Sequence, residues 1–131
     1  MIEGVQKLVV EVEDQDRALR FWTGAMKFDV VHDAWYGEER WLEVKTPDEN
    51  TILMLTLRLG DPPNGPEELP NSNIFFYCDD LSRTYEELRS RGVEFPQPPV
   101  EQSFGWWSMF RDNEGNRFAL QPRERAEVHS L

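Results

Sequence analysis

Few side chains in this 131-residue chain can do chemistry unaided. There are two histidines, His32 and His129, and one cysteine, Cys78. A single cysteine excludes an internal disulfide and a cysteine-based zinc site. No Gly-rich phosphate loop, G-x-S-x-G elbow or H-E-x-x-H helix occurs. What remains for acid–base or electrostatic work is Lys7, Glu11, Glu43 and Tyr77. A desolvated lysine can act as a base or form an imine, and a carboxylate or phenol can carry a proton. His32 ends a strand, where an edge or loop position is expected, and His129 lies in a polar tail expected to fray.

Around these groups the chain is acidic and rich in tryptophan. A formal net charge of −11 repels phosphate backbones and anionic lipid, so neither nucleic acid nor membrane is an expected partner. No apolar run approaches the roughly 18–20 residues of a membrane span. The start MIEGVQKLVV lacks signal-peptide character, and a cytoplasmic location is expected. Five tryptophans suit a core, but equally a ligand wall or an interface.

The elements that position these side chains repeat. Shifted by 66 residues, KLVVEVEDQDRALRFW (7–22) falls on NIFFYCDDLSRTYEEL (73–88), and Trp41, Val44 and Lys45 fall on Trp107, Phe110 and Arg111. Each half opens with an alternating strand, 6–13 or 73–79. Asp14 or Asp80 then stands at a helix N-cap. The helices place Ala18, Trp22 and Met26, or Leu81, Tyr85 and Leu88, at core spacing, and Gly92 is placed to end the second. Strands are predicted near 28–33, 40–46 and 51–58, then near 93–96 with 100–104, 106–111 and 117–122. In GWWSMFRDNEGNRFALQP (105–122), Gly115 supplies the positive φ of a tight hairpin. The chain therefore reads as one domain, with module one at 4–58, a Pro/Gly connector at 59–72, module two at 73–122 and the polar tail at 123–131.

This duplicated βαβββ pattern resembles the vicinal oxygen chelate superfamily. Its members include glyoxalase I, extradiol dioxygenases, bleomycin- and fosfomycin-resistance proteins and methylmalonyl-CoA epimerase. The resemblance rests on KLVVEVEDQDRALRFW, NIFFYCDDLSRTYEELRSRGVEF and FRDNEGNRFALQ and covers residues 4–122. It implies an α+β fold, two βαβββ modules forming a curved mixed sheet around a cavity, with helices on the outer face. In metal-using members one side chain on each of four strands ligates a divalent ion. Here the resemblance assigns those positions to Lys7, Leu53, Asn73 and Ala119, none of which suits a first-row metal except asparagine weakly. No cofactor is expected, and whether the protein is an enzyme stays open.

Strand alternation then sorts the faces. Lys7, Val9 and Glu11 share one face, as do Trp41 with Glu43, Leu53 with Leu55, Asn73 with Phe75 and Tyr77, and Trp107 with Met109 and Arg111. Arg117, Ala119 and Gln121 follow on the last strand, and Trp106 points away, toward a helix, a loop or a subunit interface. Lys7 and Glu11 stand roughly 13 Å apart along the strand, so Lys7 is left to meet an anionic ligand group or Glu43 on a neighbouring strand. The expected ligand-binding set is thus Lys7, Glu11, Trp41, Glu43, Leu53, Asn73, Phe75, Tyr77, Trp107 and Met109. The expected function is metal-independent binding of an aromatic or cationic small molecule in an aromatic-lined cleft, by a homodimer. The alternatives are a divalent-metal lyase, isomerase or dioxygenase using shifted ligands such as Glu11, Glu43 and His32, and a metal-free enzyme using Lys7, Glu11, Glu43 or Tyr77.

Overall fold

The structure, a computed structural model, describes residues 1–62 and 65–123. His129 and all but the first residue of the predicted tail lie outside the described residues. The chain divides into two compact units, 1–62 and 63–131. Each is a βαβββ arrangement, so the α+β class and its two modular sheets are as expected.

In the first unit, β1 (Lys7–Val12) leads into α1 (Gln15–Arg20), which runs on through a π-type turn (Phe21–Ala25), and then come β2 (Asp29–Tyr36), β3 (Glu39–Lys45) and β4 (Ile52–Leu57). The sheet order is β1-β4-β3-β2, with β1 parallel to β4 and the other pairs antiparallel. Asp14 caps α1, its carboxylate accepting from the Arg17 amide at 3.0 Å. Gln15, buried in the first turn, donates from Nε2 to the Leu55 carbonyl at 2.9 Å and thereby fixes α1 on β4. Alternation in β1 sends Val10 and Val12 into the core, where they join Ala18, Trp22, Leu42, Val44, Leu53 and Leu55. Each buried valine or leucine contributes about 1.5–3 kcal/mol by leaving water. Trp22 is fully buried, edge-on to Phe21 at 5.1 Å and tilted against Phe28 at 5.2 Å.

The second unit repeats the scheme with β5 (Phe75–Cys78), α2 (Leu81–Ser90), β6 (Glu94–Gln102), β7 (Gly105–Arg111) and β8 (Arg117–Pro122), in the order β5-β8-β7-β6. Asp80 caps α2 as Asp14 caps α1. Gly92, at φ 90°, ends it in the left-handed conformation that a glycine adopts without strain. The core is aromatic: Phe110 packs 5.3 Å from Phe118 and 6.1 Å from Phe95, and Phe95 meets Tyr85 edge-on at 4.8 Å. One strand with two register shifts, β6, replaces the two short segments predicted at 93–96 and 100–104. Its prolines, 96, 98 and 99, are tolerated because β6 is an edge strand.

Two predicted positions need correction. The 66-residue repeat is not gapless. Thr46 and Thr51 close a β3–β4 turn around Pro47–Asn50, whereas Asp112 and Asn116 close a β7–β8 turn around Asn113–Gly115, one residue shorter. Past that turn the offset is 65, and the counterpart of Ala119 is Met54 rather than Leu53. The ladders agree, since Val9 pairs with Met54 and Phe75 with Ala119. Asn73 is the second correction. It lies not on the strand but in a turn before it, at φ 62°, its amide donating to the Pro70 carbonyl at 3.3 Å.

Candidate functional site

The first unit's sheet has one face under α1 and one open face. Cα partners in a ladder point to the same side, which identifies the open one. Val9 pairs with Met54, Met54 with Glu43, and Glu43 with His32. Farther along β3 and β2, Trp41 pairs with Ala34. A register shift between Val30 and His32 sets this phase in β2, so that His32, Ala34 and Tyr36 share the face with Trp41 and Glu43.

Four of these residues, His32, Tyr36, Trp41 and Glu43, together with Lys7, two residues before Val9 on β1, line a cavity of about 460 Å³, a size that suits a small organic molecule. Three aromatic rings form its wall. Tyr36 stands edge-on to Trp41 with 6.1 Å between centroids, and His32 lies parallel to Tyr36 at 6.0 Å. The His32 Nε2 and Tyr36 Oη share a hydrogen bond of 3.1 Å. The charged element is an ion pair: Lys7 Nζ donates to Glu43 Oε2 at 2.5 Å. Glu43 is 6% exposed, whereas the Lys7 side chain keeps 35% of its surface open. Lys7 reaches Glu43 not from a neighbouring strand but across β4, a span of roughly 10 Å between strand axes.

The other predicted residues fall elsewhere. Glu11 is exposed on the open face farther along β1, opposite Thr56, and does not line this cavity. Leu53 and Leu55 do not face the open side. Both are fully buried, and Leu53 pairs with Leu8 on the α1 face. The physical reason is the extra turn residue, which inverts the alternation assigned to β4. In the second unit Phe75 (61% exposed) and Tyr77 (52%) stand on the open face, and Met109 shares that face through its pairing with Ala119 but is buried at 1%. Trp107 is half-buried near Phe104, with a buried indole N–H that has no partner among the described residues. Trp106 is 46% exposed.

Tyr36 is the lining residue absent from the sequence reading, and His32 entered it only as a shifted metal ligand beside Glu11 and Glu43. For Tyr36 the signal was strand length: aromatic residues favoured in strands continue to Tyr36, three residues past the predicted strand end.

The positions that the resemblance marks for a divalent metal do not fit one. With the register corrected they carry Lys7, Met54, Asn73 and Ala119. A lysine ammonium, a thioether, one amide and a methyl cannot supply the carboxylate and imidazole set such an ion needs. Among the described residues no group of three or more His, Cys, Asp or Glu side chains is placed to hold a metal.

Comparison with known proteins agrees with this architecture. YetH of Bacillus subtilis (strain 168) is 35% identical over 122 residues, covering 92% of this chain and 99% of its own. The crystal structure of UcmS2 superposes with a TM-score of 0.75 at 34% identity, covering 92% of this chain and 98% of that one. TnmS3, an antibiotic binding protein from Streptomyces sp. CB03234, does so with a TM-score of 0.76 at 31% identity, covering 92% and 97%. Residues 4–120 match the family model for this fold. The chain belongs to the glyoxalase/bleomycin resistance protein/dioxygenase superfamily.

Proposed function

We propose that this protein is a metal-independent small-molecule binding protein, a single two-module domain that holds an aromatic or cationic ligand against an aromatic wall. The observation that carries the proposal is the cavity on the first unit's open face, where Trp41, Tyr36 and His32 surround the Lys7–Glu43 pair. Flat rings at right angles offer stacking and edge contacts to a planar guest and π-faces to a cation. The similarity to TnmS3, an antibiotic binding protein, supports the same class of function. Lys7, Trp41 and Glu43 are the contacts assigned to this cavity. Phe75, Tyr77 and Trp107 are assigned to the second unit's open face.

Homodimerisation in the cytoplasm belongs to the proposal. Val9, at 59% exposure, and Phe75 and Tyr77 above half leave apolar surface on the open faces that a second copy or a ligand would cover. No helix among the described residues is long and apolar enough to cross a membrane.

The experiment is a titration of planar aromatic antibiotics into wild-type protein and Trp41→Ala, followed by tryptophan fluorescence and calorimetry. Micromolar or tighter binding that weakens at least tenfold in Trp41→Ala, with an unchanged circular dichroism spectrum, supports the proposal. Equal affinity in the two proteins contradicts it.

A further inference from the structure

Resting on that reading of the cavity, we infer that the ligand is an aromatic ammonium, and that its cationic nitrogen takes the place of Lys7 on Glu43. Glu43 is a buried carboxylate within an aromatic-walled cavity, and a carboxylate there needs a cation. In the free protein the cation is Lys7 Nζ. Lys7 differs from its partner in exposure: a third of its side chain remains in contact with water, whereas Glu43 is nearly closed off. A lysine ammonium on a flexible four-carbon stem can swing into solvent, where it is well hydrated, at little cost. Glu43 has no such alternative.

The exchange conserves charge. One ammonium leaves Glu43 Oε2 and another, already protonated, arrives, so no proton changes hands and no buried charge is left without a partner. Three neighbouring features favour the incoming cation over a neutral or anionic guest. The π-faces of Trp41 and Tyr36 attract positive charge. Tyr36 Oη offers an oxygen lone pair, although His32 already uses this group. The net charge of −11 raises the local concentration of cations and lowers that of anions. A carboxylate guest could keep Lys7 as its partner, but only by drawing it away from Glu43 and placing two carboxylates in one cavity.

The test uses a matched set in which charge alone varies substantially: 1-naphthylmethylammonium, 1-naphthylmethanol and 1-naphthoate, titrated into the full chain. The expected result is that the ammonium binds at least tenfold tighter than the alcohol, and the carboxylate most weakly. Glu43→Gln removes the preference for the ammonium over the alcohol. Lys7→Met, which removes the competing cation, tightens ammonium binding severalfold. Circular dichroism and thermal melts confirm that both variants fold. Equal binding of all three probes overturns the inference but leaves an aromatic site in place. Tightest binding of the carboxylate, lost in Lys7→Met, overturns it in favour of an anion anchored on Lys7. Failure of all three to bind removes the ligand-site reading and the inference with it.

Discussion

Lys7 Nζ and Glu43 Oε2 lie 2.5 Å apart although β4 separates their strands. The contact therefore ties the parallel edge strand of the first sheet to its third strand. Lys7→Met leaves a nearly buried carboxylate with its partner gone, and the predicted cost is about 1 kcal/mol, well below that of a fully buried pair because Lys7 is partly hydrated. Urea unfolding at neutral pH measures it. Glu43→Gln, which leaves only a lysine able to turn outward, should cost less than Lys7→Met. The reverse order would place the burden of the pair on the lysine.

The register correction at β4 separates two adjacent residues by energy. Leu53 is fully buried under α1, whereas Met54 is half-buried on the open face. Leu53→Ala should destabilise by about 2–4 kcal/mol, and Met54→Ala by less than half as much. Thermal melts of the two variants check this. Similar losses would mean that the strand does not hold the register described.

The two units end their helices differently. Gly92 takes φ 90° after α2, and no heavy atom lies within 4 Å of where a Cβ would stand, so only backbone strain opposes a side chain there. Lys27 adopts φ 63° after the π-type turn, a conformation less natural for lysine. Gly92→Ala should therefore cost about 1 kcal/mol, and Lys27→Gly should come out neutral or gain up to about 1 kcal/mol. Chemical denaturation resolves both.

Arg40 brings α1, β2 and β3 together, donating to both carboxylate oxygens of Asp33 at 2.9 and 3.0 Å and to Asp16 at 2.7 Å. The side-chain hydrogen bond from Arg40 holds the Asp33 carboxyl below the ordinary aspartate range, against a smaller opposing effect of burial. A carboxyl lowered in the folded state adds stability above its unfolded pKa of ~3.9 and loses it as pH falls through the folded value. Asp33→Asn should be less stable than wild type at pH 7, by under ~1 kcal/mol because the Asp33 carboxylate is open to water. The difference should close as pH falls through the folded value. Unfolding midpoints at pH 7 and along an acid titration measure it, and an unchanged gap in acid would assign the loss to packing instead.

Much of the fold was legible in the sequence because it rests on local rules. Asp14 and Asp80 are capping residues at the starts of amphipathic runs, Gly92 is a helix stop, and β1 alternates so cleanly that its two faces could be assigned. The last strand of the first unit was not legible at the residue level. ILMLTL is apolar at nearly every position, so its phase cannot be read from pattern. Only the turn length, four residues between Thr46 and Thr51, determines it. The placement of Lys7, Trp41 and Glu43 on one face followed from alternation. Tyr36 was lost because the strand was ended near residue 33, and His32 was left out of the binding set because the phase of β2 depends on a register shift.

The central claim is that a ligand sits against Trp41, and the indole N–H signals of the five tryptophans can test it residue by residue. In a two-dimensional 1H–15N spectrum of labelled protein, assigned with single Trp→Phe variants, addition of 1-naphthylmethylammonium should shift the Trp41 indole peak most. The Trp22 peak, deep in the core, should hardly move. A spectrum in which Trp41 stays fixed while Trp35 or Trp106 moves, or in which no peak moves, would contradict the claim.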